Sequence, residues 1–311
     1  MEVAVALGLR AGLITVDEAL AGDWRGTPGL DLVKVVDPPP VSWAPLTAAG
    51  FRVQPAWITW TAPVGPSEAE FLTRLPRKER YHVRAGQKAA AEQGVRLKVV
   101  TPLDAPSFDE FLGLYEPQVA AMRHGVPYAS MERDEILDQG EDYFAVQAYA
   151  PDGLVGSCVC RIRRDISTVV IRFATTAPGG RQQGLVRALY MRVFEAAREM
   201  GHREISLGSD PALYGHMTKP GLFAFKSGLR FTPVPSRLFG SMDDPDEATR
   251  VVSLERLTDP SLMISYQVDA NTRVITADTP LRLDSVTADP TVERSAYDAP
   301  FAVDTGVILV P

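Results

Sequence analysis

Cysteine is scarce in this chain: Cys158 and Cys160 are the only two in 311 residues. Standing two apart, they share one face of a strand. That spacing suits neither a bridge nor a zinc site, so they read as core residues in a reducing compartment. Histidine is nearly as rare, at four. No clustering of His, Cys or carboxylates suggests a metal. Long apolar runs are missing as well, so no stretch is expected to span a bilayer. The opening MEVAVALGLRAGLITVDEAL lacks a basic start, and Glu2, Asp17 and Glu18 interrupt it, which argues against a signal peptide. A cytoplasmic protein with no membrane partner is expected. Excess positive charge is absent too: 32 Lys and Arg against 39 Asp and Glu leave a net charge of −7. That argues against a broad nucleic-acid surface, though not against a local basic stripe.

What is present is globular. Apolar residues make up 45% of the chain and charged residues 23%, enough for a substantial core in one large domain or two small ones. The first 65 residues read as a loop-rich lobe punctuated by DPPP at 37–40, with one strand candidate at Ala56 to Thr61. A helix starts after Pro66, where Ser67 and Glu70 are spaced as a capping box. Pro76 interrupts it, and a second helix runs from about Arg77 to Gln93. The pattern then becomes regular. Strands are expected at 95–100, 143–149, 154–162, 167–174, 203–209 and near 230–234. Helices are expected at 107–122, 131–139, 183–200 and 222–227. The order β-α-α-β-β-β-α-β-α-β describes an α/β (α+β) mixed sheet flanked by helices. Residues 240–311 turn acidic and proline-spaced, with strand-like pieces SLMISYQV and TRVITA and no assignable job.

The most informative stretch is 154–208. Its β-branched strand stops at APGGRQQG (177–184), and an amphipathic helix begins at once, with Leu185, Leu189, Val193, Ala196 and Met200 on one face. A helix N-terminus offers unpaired N–H groups and the positive end of the macrodipole, a natural anion site. Gly179, Gly180 and Gly184 let the backbone approach a ligand, and Arg181 adds fixed positive charge. An ordinary glycine-rich turn would look the same.

With that turn between the fourth strand and the third helix, the element order over roughly 94–235 resembles the GNAT superfamily of N-acyltransferases. Arg181-Gln182-Gln183-Gly184-Leu185-Val186 is similar to the superfamily's pyrophosphate loop, Q/R-x-x-G-x-G/A, with Val186 departing from its small last residue. Two further segments, SEAEFLTRLPRKERYHVRAGQKAAAEQGVRLKVV (67–100) and PGLFAFKSGLRFTP (220–233), resemble Fem-type peptidyltransferases and their relatives. In those proteins a reduced first lobe precedes a complete one. The resemblance implies a reduced N-terminal lobe at 1–65, connecting helices at 66–93, a GNAT-like domain at 94–239 and a C-terminal extension at 240–311.

It also implies a chemistry. The loop with Gly179, Gly180, Arg181, Gln183, Gly184 and Leu185 would hold the pyrophosphate of acetyl-CoA or another acyl-CoA. The exposed backbone of Phe173, Ala174 and Thr175 would pair with the pantetheine amides as an added strand. Acid–base candidates cluster after the fifth strand. Tyr214 is the candidate acid for the leaving thiolate, and His216 the natural base, since its ordinary pKa of about 6.5 lies near working pH. Asp210 would orient the substrate amine. His124, between the two early helices, and Lys226, of the Fem-like Phe225-Lys226 pair, are candidates for binding the acceptor.

The expected activity is N-acyl transfer from acyl-CoA to an amine of a small molecule or peptide by direct attack. One alternative keeps the fold but draws an aminoacyl group from charged tRNA. Arg77, Tyr81, Arg84 and Lys88, at helical spacing, would be its phosphate track, though a solvated helix face reads the same. Another is a non-catalytic binding module on a decayed acyltransferase fold.

Overall fold

A computed structural model of the chain describes residues 1–178, 184–293, 297 and 299–310. Its first stretch supplies β1 (Glu2–Ala6), β2 (Leu9–Leu13), α1 (Val16–Ala21), β3 (Leu32–Val36), α2 (Trp43–Ala48), β4 (Arg52–Pro55) and β5 (Trp57–Pro63). Next come α3 (Glu68–Arg74), α4 (Arg77–Glu92), β6 (Arg96–Val100), α5 (Ala105–Ala120), α6 (Tyr128–Met131) and α7 (Arg133–Asp138). Then follow β7 (Tyr143–Ala150), β8 (Gly153–Arg163), β9 (Thr168–Thr176), α8 (Leu185–Glu199) and β10 (Glu204–Pro211). The last stretch holds β11 (Leu213–Tyr214), α9 (Pro220–Gly228), β12 (Thr232–Pro235), α10 (Ser236–Phe239) and β13 (Asp246–Val251). It ends with β14 (Ser261–Tyr266), β15 (Leu281–Thr287) and β16 (Ala302–Leu309).

The chain divides into two compact units that do not follow the linear reading. One gathers 1–60, 209–227 and 232–311, and the other holds 61–208 and 228–231. In the first unit the acidic tail is built into the N-terminal lobe. Strand β13 lies between β3 and β4, antiparallel to both, within the order β1-β2-β3-β13-β4. A second sheet runs β11-β14-β15-β16. Leu32, Val251, Met263, Val286 and Val310 form a core between distant parts of the chain. Most of SLMISYQV is thus a strand, but TRVITA is not. There Asp269 accepts from the N–H groups of Asn271 and Thr272 at 2.8 and 2.9 Å, a local turn that competes with a ladder. Val274 is left 70% exposed, with no packing to pull it into a sheet.

The second unit carries the expected mixed sheet. Its strands run β10-β9-β8-β7-β6, with antiparallel pairing from β6 through β9 and parallel pairing of β9 with β10. Helix α5 starts two residues earlier than its apolar pattern suggests. Asp104 caps it, accepting from the Ser107 N–H at 2.8 Å. Phe108, Phe111, Leu112 and Tyr115 of α5 then pack with Tyr143, Ala145 and Val159 of the sheet. At α3, Ser67 accepts from the Glu70 N–H at 3.2 Å, which is one leg of the predicted box. The complete box stands at Thr15 and Glu18, which open α1.

Candidate active site

Strand β9 and the start of β10 lie inside the second unit. Their parallel register covers three residue pairs, from Thr168 with Glu204 to Val170 with Ser206. Yet β9 continues to Thr176. Its other edge stays paired with β8 to the end, Thr176 opposite Gly156, with a register shift between Val159 and Cys160. Past Val170 the two parallel strands part, and one backbone edge of Ile171–Thr176 is left without a ladder among the described residues. Phe173, Ala174 and Thr175 lie on this stretch. Phe173 is half-buried against Phe111 and Tyr115, and the Thr175 hydroxyl donates to Gln118 Oε1 at 3.0 Å. The buried hydroxyl of Thr176 has no partner among the described residues.

Gly179, Gly180, Arg181 and Gln183 lie outside the described residues. Gly184 and Leu185 do not. Gly184 takes φ +75° as the residue before α8, a conformation glycine adopts without a Cβ penalty, and Leu185 is buried. Helix α4 comes up against this turn. A Cβ on Gly86 would stand 2.5 Å from the Gly184 carbonyl oxygen. Nearby, Arg187 pairs with Glu79 of α4 at 2.8 Å, with both side chains mostly buried. The amphipathic pattern places Arg187 on the solvent face; this ion pair turns it inward.

The acid–base candidates lie in the first unit. Lys226 Nζ sits 2.7 Å from Asp210 Oδ2, and the Tyr214 hydroxyl donates to the same oxygen at 2.7 Å. Trp60 Nε1–H in turn donates to the Tyr214 oxygen at 2.8 Å. Asp210 and Lys226 are each 5% exposed and Tyr214 is sealed. Burial, aided by the Asp210 carboxylate, pushes the Tyr214 phenol well above its ordinary value, so it stays neutral. Burial lowers the Lys226 pKa, and Asp210 pulls it back up. Taking an ion pair out of water costs several kcal/mol per ion, on the order of what the pairing returns. Stability alone is therefore a weak reason for this cluster.

Sequence reasoning chose three of its members but missed Trp60. The signal was there: a strand tryptophan must find an acceptor for its N–H once buried. His216 does not join them. Its Nδ1 lies 3.1 Å from the Arg256 carbonyl and its Nε2 3.1 Å from that of Leu7, so both ring nitrogens face main-chain oxygens. His124 is half-buried in the turn between α5 and α6, in the other unit. Among the described residues, no group of three or more His, Cys, Asp or Glu side chains is arranged to hold a metal, and no helix is long and apolar enough to cross a membrane.

With this geometry in hand, comparison with known proteins is informative. Residues 108–214 match the model of the family described as "Acetyltransferase (GNAT) family". No curated protein matches. Among solved structures the chain is similar to FemX, at 12% identity over 78% of this chain and 81% of that one, with a TM-score of 0.47. It is similar to the C-terminal domain (DUF2156) of a putative lysylphosphatidylglycerol synthetase from Agrobacterium fabrum, at 13% identity over 79% of each chain and a TM-score of 0.40. L-PGS from Bacillus licheniformis shares 14% identity over 74% of this chain and 70% of its own, with a TM-score of 0.42. The stretch from Phe108 to Tyr214 carries a GNAT acetyltransferase-family domain. The resemblance, fold class and acyltransferase class read from the sequence agree with that match.

Proposed function

We propose that this protein is an N-acyltransferase that moves an acyl group from acyl-CoA to an amine of a small molecule or peptide. The observation that carries this reading is the three-pair register of β9 and β10. It leaves one backbone edge of Ile171–Thr176 without a ladder among the described residues, directly before the turn into α8. An edge of that kind takes an extended amide-bearing chain by strand addition. The partnerless Thr176 hydroxyl at its end fits the same role. Acyl-CoA supplies an activated acyl carbon, whose C–S bond breaks as a C–N bond to the amine forms. In this reading Phe173, Ala174 and Thr175 hold the amide-bearing arm. Gly184 and Leu185, with Gly179, Gly180, Arg181 and Gln183, hold the diphosphate at the helix N-terminus.

For the proton traffic, Asp210, Tyr214 and Lys226 act as one group. The amine must lose a proton and the leaving sulfur must be protonated or solvated. Proton transfer from the Lys226 ammonium to the shared carboxylate oxygen leaves a neutral amine and a neutral acid, so the first can take the proton that the substrate amine loses and the second can supply one to the leaving sulfur, which restores the ion pair. His216 is given no base role, because its ring is held between two carbonyls. His124 is kept as an acceptor-side contact.

Amine-dependent release of free thiol from acetyl-CoA, followed over a panel of small and peptide amines, tests the proposal. Asp210→Asn should cut the rate by about a hundredfold or more while sparing acetyl-CoA affinity. Folded protein that binds acetyl-CoA yet turns over no amine or other acyl donor would instead favour a binding module.

A second reading, aminoacyl transfer from charged tRNA, rests on α4. Arg77, Tyr81, Arg84 and Lys88 are all exposed along it, and Lys88 has a 3.7 Å partner in Glu92. Under this reading, affinity for charged tRNA falls steeply with salt and on neutralising Arg77 and Arg84. An acyl-CoA user is indifferent to both.

A further inference from the structure

The first unit contains a 420 Å3 cavity lined by Trp24, Arg25, Arg52, Arg250 and a run of apolar side chains. Its volume is in the range of small-molecule sites. Three arginines line it, but they are not equivalent. Arg52 is neutralised, its Nε lying 2.9 Å from the buried Asp284. Arg282 engages both oxygens of that carboxylate, at 2.7 and 2.9 Å. Arg25 and Arg250 have no carboxylate within ion-pair distance among the described residues. Both guanidiniums instead stand against one indole, at 5.4 and 5.2 Å from the Trp24 ring centroid.

Both guanidiniums lie close over glycine backbone. Gly22 and Gly50 have φ +81° and +90°, and a Cβ on either would come within 2.8 and 2.6 Å of Nη1 of Arg25 and Arg250 respectively. Arg250 is further fixed by a 2.6 Å hydrogen bond from Nη1 to the Ala49 carbonyl. Two like charges held near one ring repel each other, and partial burial adds to the cost. Burial and the neighbouring Arg25 both lower the Arg250 pKa. Stacking on Trp24 accounts for where the two guanidiniums lie but leaves their charge unbalanced, and since an arginine stays protonated, a bound anion would balance it.

We infer that this cavity binds a small organic anion, with an oxyanion head between Arg25 and Arg250 and an apolar tail against Val251, Val307 and Leu309. Planar guanidinium forks suit carboxylate and phosphate heads alike. The site is separate from the acyl-transfer reading, and either can fail while the other stands.

Calorimetric titration of the full-length protein with phenyl phosphate and with phenylacetate, at constant ionic strength, tests the inference. Saturable one-site binding of at least one probe is expected, and the tighter probe names the head group. Arg25→Gln and Arg250→Gln should each weaken it by about tenfold or more. Lys98→Gln, an exposed basic residue of the other unit, should leave it unchanged. Arg25 is exposed, so its variant is expected to fold, and a native far-ultraviolet spectrum checks this. No saturable heat with either probe, or wild-type affinity in a folded Arg25→Gln protein, overturns the inference.

Discussion

Lys226 and Asp210 are joined at 2.7 Å with 6% and 7% of their side chains exposed, and the Tyr214 phenol bonds the same carboxylate oxygen. Removing one charge from such a pair leaves the other buried without this counter-charge, a loss of about 3–5 kcal/mol. Asp210→Asn should therefore destabilise strongly, and adding Lys226→Met should recover most of the loss. Urea unfolding of the two single variants and the double variant measures it. Independent, additive losses would mean that the two groups are not coupled.

His216 offers a contrast. A ring held between the Leu7 and Arg256 carbonyls ties two segments together. Replacing it with alanine should lower stability by roughly 1–3 kcal/mol, the cost of leaving buried carbonyls unpaired. The acidic limb of the rate profile should stay in place. Disappearance of the acidic limb, with stability unchanged, would restore the base role that the sequence suggested.

Helix α4 sets the position of the turn before α8 through Gly86. The atom that a Cβ would meet there is a carbonyl oxygen at 2.5 Å, which cannot rotate away as a side chain would. Gly86→Ala should cost about 1–3 kcal/mol and weaken acyl-CoA binding by displacing Gly184. Thermal unfolding and titration with acetyl-CoA read the two effects. Wild-type behaviour in both would mean that the helices are not held by this contact.

Alkaline pH should destabilise the fold. Burial raises the Cys158 and Cys160 thiols above their ordinary 9.0, and it raises Tyr214 and Tyr266 above 10.0. Burial, with the neighbouring Glu110, pushes Tyr149 up to about 12. Between the unfolded and folded values the native state holds more protons, so stability falls as pH climbs. The loss begins near pH 9 with the cysteines and steepens past 10 with the tyrosines. Lys226 opposes it, since its lowered folded value makes the native state hold fewer protons. Denaturant midpoints at pH 7.5 and 10 decide the sign, with a lower midpoint at pH 10 expected. For the same reason both thiols should resist alkylation at pH 8 until the protein is unfolded.

The elements from β6 to β10 were legible because alternation and helical spacing repeat there without interruption, and Gly153 and Gly94 mark turns that need positive φ. The N-terminal lobe was not. Its β3 and β4 are short and find their common partner, β13, some two hundred residues away, and no local pattern encodes that pairing. Tyr214, Asp210 and Lys226 were singled out by residue type and by resemblance. Their convergence on one oxygen, and the Trp60 that completes it, depend on β5, β10 and α9 meeting in space. The Arg25–Trp24–Arg250 arrangement had no sequence signal, because its arginines come from opposite ends of the chain.

Calorimetry with acetyl-CoA tests the main claim most directly. One saturable equivalent should bind the wild-type protein, and the binding should vanish in a folded Gly184→Glu variant, where a carboxylate enters the turn before α8. An absence of heat with the wild type, or an unchanged isotherm with the variant, contradicts a diphosphate-holding turn and the acyl-CoA reaction built upon it.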